Sequence, residues 1–255
     1  MSQIVSVSVC SAKVPLDIPT SFATRTVKAR EYCLIKLRST DGAEGIGFCY
    51  VGSSAGNLAR VAVAELLGPL LIGEESTRVE GLWEKMYREG LLQGRAGSVM
   101  RALSALDIAL WDMNSRAAGM PLYKYLGHWA QDRVPAYASG GYYLEGKTPH
   151  KLGEEVAFYV SQGFKAVKIK VGRLSLAKEE DRIRAAREPI GPEVHLMLDA
   201  NNAWADLPTA TLYCKTYEKY YPYWIEEPFS PDDIENHARL ARRTTIPVAL
   251  SLIHI

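Results

Sequence analysis

The chain has 255 residues, 47% of them apolar, and 30 Lys and Arg stand against 29 Asp and Glu for a formal net charge of +1. That length buries a sizeable core and suits two domains, while the balanced charge, with no recurring basic block, argues against a nucleic acid or an acidic membrane surface as partner and leaves a small molecule as the default. The four cysteines, Cys10, Cys33, Cys49 and Cys214, lack CxxC spacing and read as packed thiols in a reducing cytoplasm. No stretch reaches the roughly twenty apolar residues that span a bilayer, and no charged segment leads into an apolar run at the start, so the chain reads as unexported.

The first third reads as an antiparallel sheet followed by helices. Glu31 to Leu37 and Glu44 to Val51 are strand-like runs around the turn dipeptide Asp41-Gly42, which predicts a hairpin. Asn57 is placed to cap a helix through Leu67, Thr77 with Glu80 to form a capping box for a helix through Leu92, and Val99 to Ala118 is apolar at helical spacing before Gly119 and Pro121. Residues 1–130 are therefore expected to form an α+β domain with no catalytic cluster of its own.

After Asp132 short apolar strands alternate with capped helices. The strands are Val134 to Gly140, Ala166 to Gly172, His195 to Asn202, Trp224 to Pro228 and Ile246 to Ala249; Thr148-Pro149 opens a helix that Gly163 closes, and Ser230-Pro231 opens the last one. This repeat predicts parallel βα units, in a doubly wound sheet or a (β/α)8 barrel, and no glycine-rich phosphate loop follows a strand.

Polar residues gather at the strand ends. Strand parity puts Lys168 and Lys170 on one face and Val167, Ile169 and Val171 on the other, and sets Asp199 and Asn201 on a common face of the next strand; the following strand ends in Glu226-Glu227-Pro228. Alone, two lysines two apart are usually a solvated face, and Glu-Glu-Pro is usually a turn. Three such endings on successive parallel strands describe amines facing carboxylates where barrel enzymes keep their active sites. Hard carboxylate oxygens suit Mg2+. A lysine serves as a base near neutral pH when a neighbouring ammonium and a divalent cation depress its pKa, and the metal stabilises the enediolate left when an α-proton leaves a carboxylate.

Lys168-x-Lys170, Asp199-x-Asn201 and Trp224-Ile-Glu226-Glu227-Pro228 resemble the motifs of the mandelate racemase group of the enolase superfamily, and the helix from Gly97 to Asp112 is similar to that group's capping-domain helix. The resemblance implies an α+β capping domain over residues 1–130, then the first half of a (β/α)8-type barrel over 131–249, incomplete. It implies Lys170 as catalytic base or acid, Lys168 as its neighbour holding the substrate carboxylate, Asp199 and Glu226 as Mg2+ ligands, and Asn201 and Glu227 as supporting residues. The stretch Tyr137 to Tyr143 looks like the acid-sugar dehydratases of the group, with Ser139 and Tyr143 as candidate substrate contacts. Loops around Leu16 to Thr26 and Tyr50 to Ala55 are expected to form the lid, and the parent enzyme to be a homo-oligomer.

The pattern breaks near the end. The family has a third ligand glutamate after the fifth-strand Pro-Val, whereas Pro247-Val-Ala249 here leads to Leu252, and His254 is given no role. Residues 250–255 read as a non-native tail, matching the in-frame translation of a common sequencing adapter. A half barrel with an open parallel edge is expected to be poorly soluble and weakly active. The implied activity is dehydration of an acid sugar, aldonate or aldarate, to a 2-keto-3-deoxy acid. Racemisation or epimerisation of a 2-hydroxy acid is the alternative, and a non-catalytic binding module the alternative of another class.

Overall fold

The computed structural model describes residues 2–127 and 133–250. The chain folds as two compact units, Met1–Asp17 with Val27–Arg133, and Ile18–Thr26 with the chain from Val134 on.

In the first unit a sheet in the order β1 (Ile4–Ser21), β2 (Thr26–Ser39), β3 (Glu44–Gly52) precedes the helices. β2 and β3 form the expected antiparallel hairpin, Arg38 opposite Glu44, with Gly42 at φ 84° in the turn and the Ser39 hydroxyl donating to Asp41 at 2.5 Å. Cys33, Ile35, Leu37 and Ser39 alternate inward on β2. α3 (Ser98–Ala117) lies on β3 through Ala105, Ala109 and Met113, spaced along one helical face. The approach is close: a Cβ at Gly45 would fall 2.1 Å from the Ala109 carbonyl oxygen, and one at Gly47 1.9 Å from that of Ala105. Asp112 then accepts the Ile46 N–H at 2.8 Å.

Two helix starts depart from expectation. α1 (Gly56–Val61) begins after Ala55 in the left-handed region, and continues through a π turn, Ala62–Leu67, and a 3-10 turn, Gly68–Leu71. Asn57 lies inside it, where its Oδ1 accepts from Arg60 instead of capping. α2 (Val79–Glu89) follows Arg78 with no side-chain cap, since the Thr77 hydroxyl donates to Glu75. α4 (Leu122–Tyr125) follows Pro121.

The second unit alternates β4 (Ala138–Ser139), α5 (Pro149–Ser161), β5 (Ala166–Lys170), α6 (Leu176–Ile190), β6 (His195–Asp199), α7 (Leu207–Tyr217), β7 (Trp224–Glu226), α8 (Ile234–Ala241) and β8 (Val248–Ala249). The five strands are parallel and adjacent in chain order. Val167, Ile169, Leu196, Leu198 and Ile225 pack outward against Leu152, Val156, Ile183, Ala210 and Leu240 of the helices. Thr148 caps α5 through the Lys151 N–H and Asp206 caps α7 through the Thr209 N–H, each with proline in the first turn. α8 starts three residues later than Ser230-Pro231 suggests, because Asp233 supplies the cap to Asn236.

Residues Ile18–Thr26 belong to this unit and not to the first. Leu16 to Ser21 is the end of β1 and Thr26 the start of β2, so the expected lid loop shrinks to residues 22–25. The Ser21 carbonyl accepts from the Tyr143 N–H at 2.8 Å and the Phe22 carbonyl from Arg173 Nη1 at 2.8 Å. Tyr50 to Gly52 likewise ends β3, leaving 53–55 as the loop there. Residues 251–255, including Leu252 and His254, lie outside the described residues.

Candidate active site

Strand pairing stacks the polar side chains in layers. In one layer Lys170 is opposite Asp199, which is opposite Glu226, which is opposite Ala249; one layer deeper Ser139 is opposite Lys168, then Met197, then Trp224. Paired residues of parallel strands point to the same face, so both lysines and both carboxylates converge on the face away from the helices. The Lys170 Nζ donates to Asp199 Oδ2 at 2.5 Å, and Lys168 Nζ reaches up a layer to Glu226 Oε2 at 2.7 Å and lies 3.7 Å from Asp199 Oδ2. None of the four side chains exceeds 10% exposure.

Buried charge of this density survives because it is paired. Burial works against the Lys168 ammonium, but the Glu226 hydrogen bond and the charges of Asp199 and Glu226 outweigh it and hold its pKa above that of an ordinary lysine. Glu227 is pushed up, first by burial and then by the charge of Asp199, against the opposing hydrogen bond from Asn201. Asn201, Asn202 and Glu227 all have positive φ, at 45°, 61° and 47°. Left-handed backbone is costly for a residue with a Cβ, and here it ends β6 at Asp199, short of the expected Asn202, and turns the chain at the rim. The Asn201 N–H donates to Asp199 Oδ1 at 3.0 Å, and the Asn202 N–H to the Glu227 carbonyl at 2.7 Å, tying the two strand ends together.

Of the two candidate substrate contacts, Ser139 is exposed on β4 in the deeper layer. Tyr143 faces the other way. Its hydroxyl donates to the buried Glu179 of α6 at 2.5 Å, its ring lies 4.2 Å from the Arg182 guanidinium, and burial raises its pKa beyond the usual phenol range. The reason is Gly141 at φ 67°, which breaks the strand alternation so that Tyr142, not Tyr143, faces the lysines. The Lys170 ammonium lies 5.4 Å from the Tyr142 ring and 5.9 Å from that of Phe22, and Lys168 lies 5.3 Å from the Tyr137 ring. These aromatic neighbours escaped the sequence reading. The Gly140-Gly141 pair was the available signal for Tyr142; nothing local signals Phe22, whose place depends on the long β1–β2 hairpin.

The implied divalent cation can be tested against these groups. Asp199 and Glu226 offer oxygen donors from adjacent strands, the kind Mg2+ prefers. Three carboxyl groups, Asp199, Glu226 and Glu227, face two ammonium groups, and Asn201 Oδ1 is buried without a hydrogen-bond partner among the described residues. The set therefore fits a cation. It is a partial set, since no three His, Cys, Asp or Glu side chains converge as ligands among the described residues.

The model described as "Mandelate racemase / muconate lactonizing enzyme, N-terminal domain" matches residues 4–127, and "Enolase C-terminal domain-like" matches 151–251. An arabinonate dehydratase of Saccharolobus solfataricus is 37% identical over 221 residues, 86% of this chain and 58% of the relative. The solved structure of a racemase from Streptomyces coelicolor A3(2) with bound magnesium superposes at a TM-score of 0.91 with 32% identity, over 97% of this chain and 69% of that one. The L-talarate/galactarate dehydratase of Salmonella typhimurium LT2, liganded with Mg and L-lyxarohydroxamate, superposes at 0.89 with 33% identity, over 98% of this chain and 65% of that one. The chain spans about 58–60% of the length of the first curated relatives it matches. The chain itself shows the expected order, an α+β unit followed by five parallel strands consistent with part of a (β/α)8-type barrel. With both domain models matched in order and the lysine and carboxylate strand ends in register, the chain belongs to the mandelate racemase/muconate lactonizing enzyme group of the enolase superfamily.

Proposed function

We propose that the protein to which this chain belongs dehydrates an acid sugar, an aldonate or aldarate, to a 2-keto-3-deoxy acid, beginning with removal of the proton α to the carboxylate. The observation that carries this reading is the layer Lys170, Asp199, Glu226, with Lys168 reaching it from below. Relatives named as acid-sugar dehydratases support the substrate class.

Asp199 and Glu226 would hold Mg2+, which supplies positive charge beside the substrate carboxylate as the α-proton leaves. Lys170 is the base: its Nζ takes the proton while the C–H electron pair stays with the substrate as the enediolate. In this structure the Lys170 ammonium is paired with Asp199. Asp199 would then be shared between that amine and the cation. Lys168 stays protonated and donates to the substrate carboxylate. Asn201 orients Asp199 through its backbone N–H, and its amide group engages Glu227. The β-hydroxyl then leaves as water, with a proton from a general acid that this reading assigns to none of the described residues.

The test is incubation with Mg2+ and a panel of aldonic and aldaric acids. A 2-keto acid product supports dehydration. Inversion at the α-carbon with solvent proton uptake and no keto acid would replace it with the racemase reading, to which the relative named as a racemase lends support. Mg2+-independent ligand binding without either outcome would favour a binding module.

A further inference from the structure

Cys33 on β2 and Cys49 on β3 are direct cross-strand partners in the antiparallel ladder, flanked by Tyr32 opposite Tyr50 and Leu34 opposite Phe48. The two side chains share a face, and both cysteines are free thiols. Directly opposite residues have Cβ atoms about 4.5–5.5 Å apart, and a disulfide needs about 3.8 Å. A closure of about 1 Å joins them without unravelling the ladder, and the register irregularity between Glu31 and Tyr32 lies beside the pair to absorb it.

We propose that Cys33 and Cys49 are a peroxide-oxidisable thiol pair that closes to a cross-strand disulfide, a modification site separate from the lysine and carboxylate site.

The two sulfurs are placed for different steps. Cys49 is half-buried and is the sulfur a peroxide can reach; the neighbouring Cys33 thiol and the charge of Arg101 on α3 favour its thiolate. Cys33 is fully buried, out of reach of a peroxide. Thiolates, not thiols, attack peroxides. The Cys49 thiolate therefore attacks one oxygen of a hydroperoxide, the O–O bond breaks, and one proton goes to the leaving group; with hydrogen peroxide the products are Cys49 sulfenic acid and water. The Cys33 sulfur then attacks the Cys49 sulfur, the S–O bond breaks, and the Cys33 proton leaves with the hydroxyl as a second water. Two thiols lose two electrons, and one peroxide is reduced to two waters. Short range and exclusion of bulk water favour this second step over further oxidation of Cys49. Cys10 is exposed on the neighbouring strand β1 and is the competing thiol.

The test treats the full chain with hydrogen peroxide, blocks residual thiols with an alkylating agent, and maps cross-linked peptides by mass spectrometry. The expected product links the Cys33 and Cys49 peptides, forms equally in C10S, and is lost in C49S, whose far-ultraviolet circular dichroism remains that of the parent. Reduction reverses it. The linked form melts about 5–10 °C higher, the effect of closing a loop of this length. Sulfinic or sulfonic acid at Cys49 with Cys33 still alkylatable after unfolding, a cross-link that requires Cys10, or no oxidation of either residue would each overturn the proposal.

Discussion

Replacing Lys170 by Met removes the ammonium that donates to Asp199 at 2.5 Å and leaves a buried carboxylate with the Asn201 N–H at 3.0 Å and Lys168 at 3.7 Å. Replacing Asp199 by Asn leaves the Lys170 ammonium facing the Tyr142 and Phe22 rings, and takes a charge from Lys168 as well. Removing one member of a buried pair costs about 3–5 kcal/mol. Lys170→Met should fall near the low end, since Lys168 still offsets Asp199, and Asp199→Asn near the high end. Removing both leaves no orphaned charge at this position. The double variant should therefore be less destabilised than the sum by about 1.5–3 kcal/mol. A solvent-exposed pair would give less than about 1 kcal/mol. Urea unfolding of the four chains in EDTA measures the coupling. If Asp199 holds Mg2+ as proposed, repeating the cycle in Mg2+ should shrink it. Additivity within about 0.5 kcal/mol in EDTA would show that the pair is not formed and would refute the apo geometry.

Glu218 at the end of α7 predicts an acid-dependent stability. Burial works against its ionisation, but the Thr245 N–H at 2.8 Å, Lys215 at 3.0 Å and the Thr244 hydroxyl at 2.9 Å outweigh it and take the pKa down to about 2. A depressed carboxylate stabilises above its unfolded value, near 4.5, and that stability is lost as pH falls toward 2. Linkage gives at most about 3 kcal/mol, and solvent screening leaves about 1–2 kcal/mol; thermal melts should show Glu218→Gln less stable than the parent at pH 7 and converging with it near pH 2. At Gly141 an added Cβ would lie 2.6 Å from Ile169 Cβ at φ 67°, so Gly141→Ala should cost about 2–4 kcal/mol in urea unfolding. Asp206→Ala removes the α7 cap, accepted from the Thr209 N–H at 2.8 Å, and should lower stability by about 1 kcal/mol in the same assay.

Most of the second unit was legible because its signals are local. Val167 and Ile169 alternate with Lys168 and Lys170, and that parity assigns the lysines to one face; the strand register then sets Lys170 opposite Asp199 and Lys168 opposite Met197. Thr148 and Asp206 cap helices through contacts within three residues, with proline beside them. Where the reading failed, a distant or conformational cause intervened. No local signal in the sequence marks β1, whose far end pairs with Tyr143 across more than a hundred residues of sequence. Tyr143 is the contact the resemblance implies, whereas the positive φ of Gly141 turns Tyr142 toward the lysines. Asn57 and Thr77 have the chemistry of caps, but Ala55 in the left-handed region and the Thr77 bond to Glu75 put the helix starts elsewhere. Cys33 and Cys49 looked scattered because their neighbourhood is created by the hairpin register.

The claim that Lys170 is the base is tested most directly by α-proton exchange. An aldarate is incubated with the protein and Mg2+ in D2O and the α-position followed by proton NMR, with the Lys170→Ala chain and an Mg2+-free sample alongside. The account predicts deuterium entering the α-position only when Mg2+ and Lys170 are both present. Exchange at an unchanged rate in Lys170→Ala would contradict it.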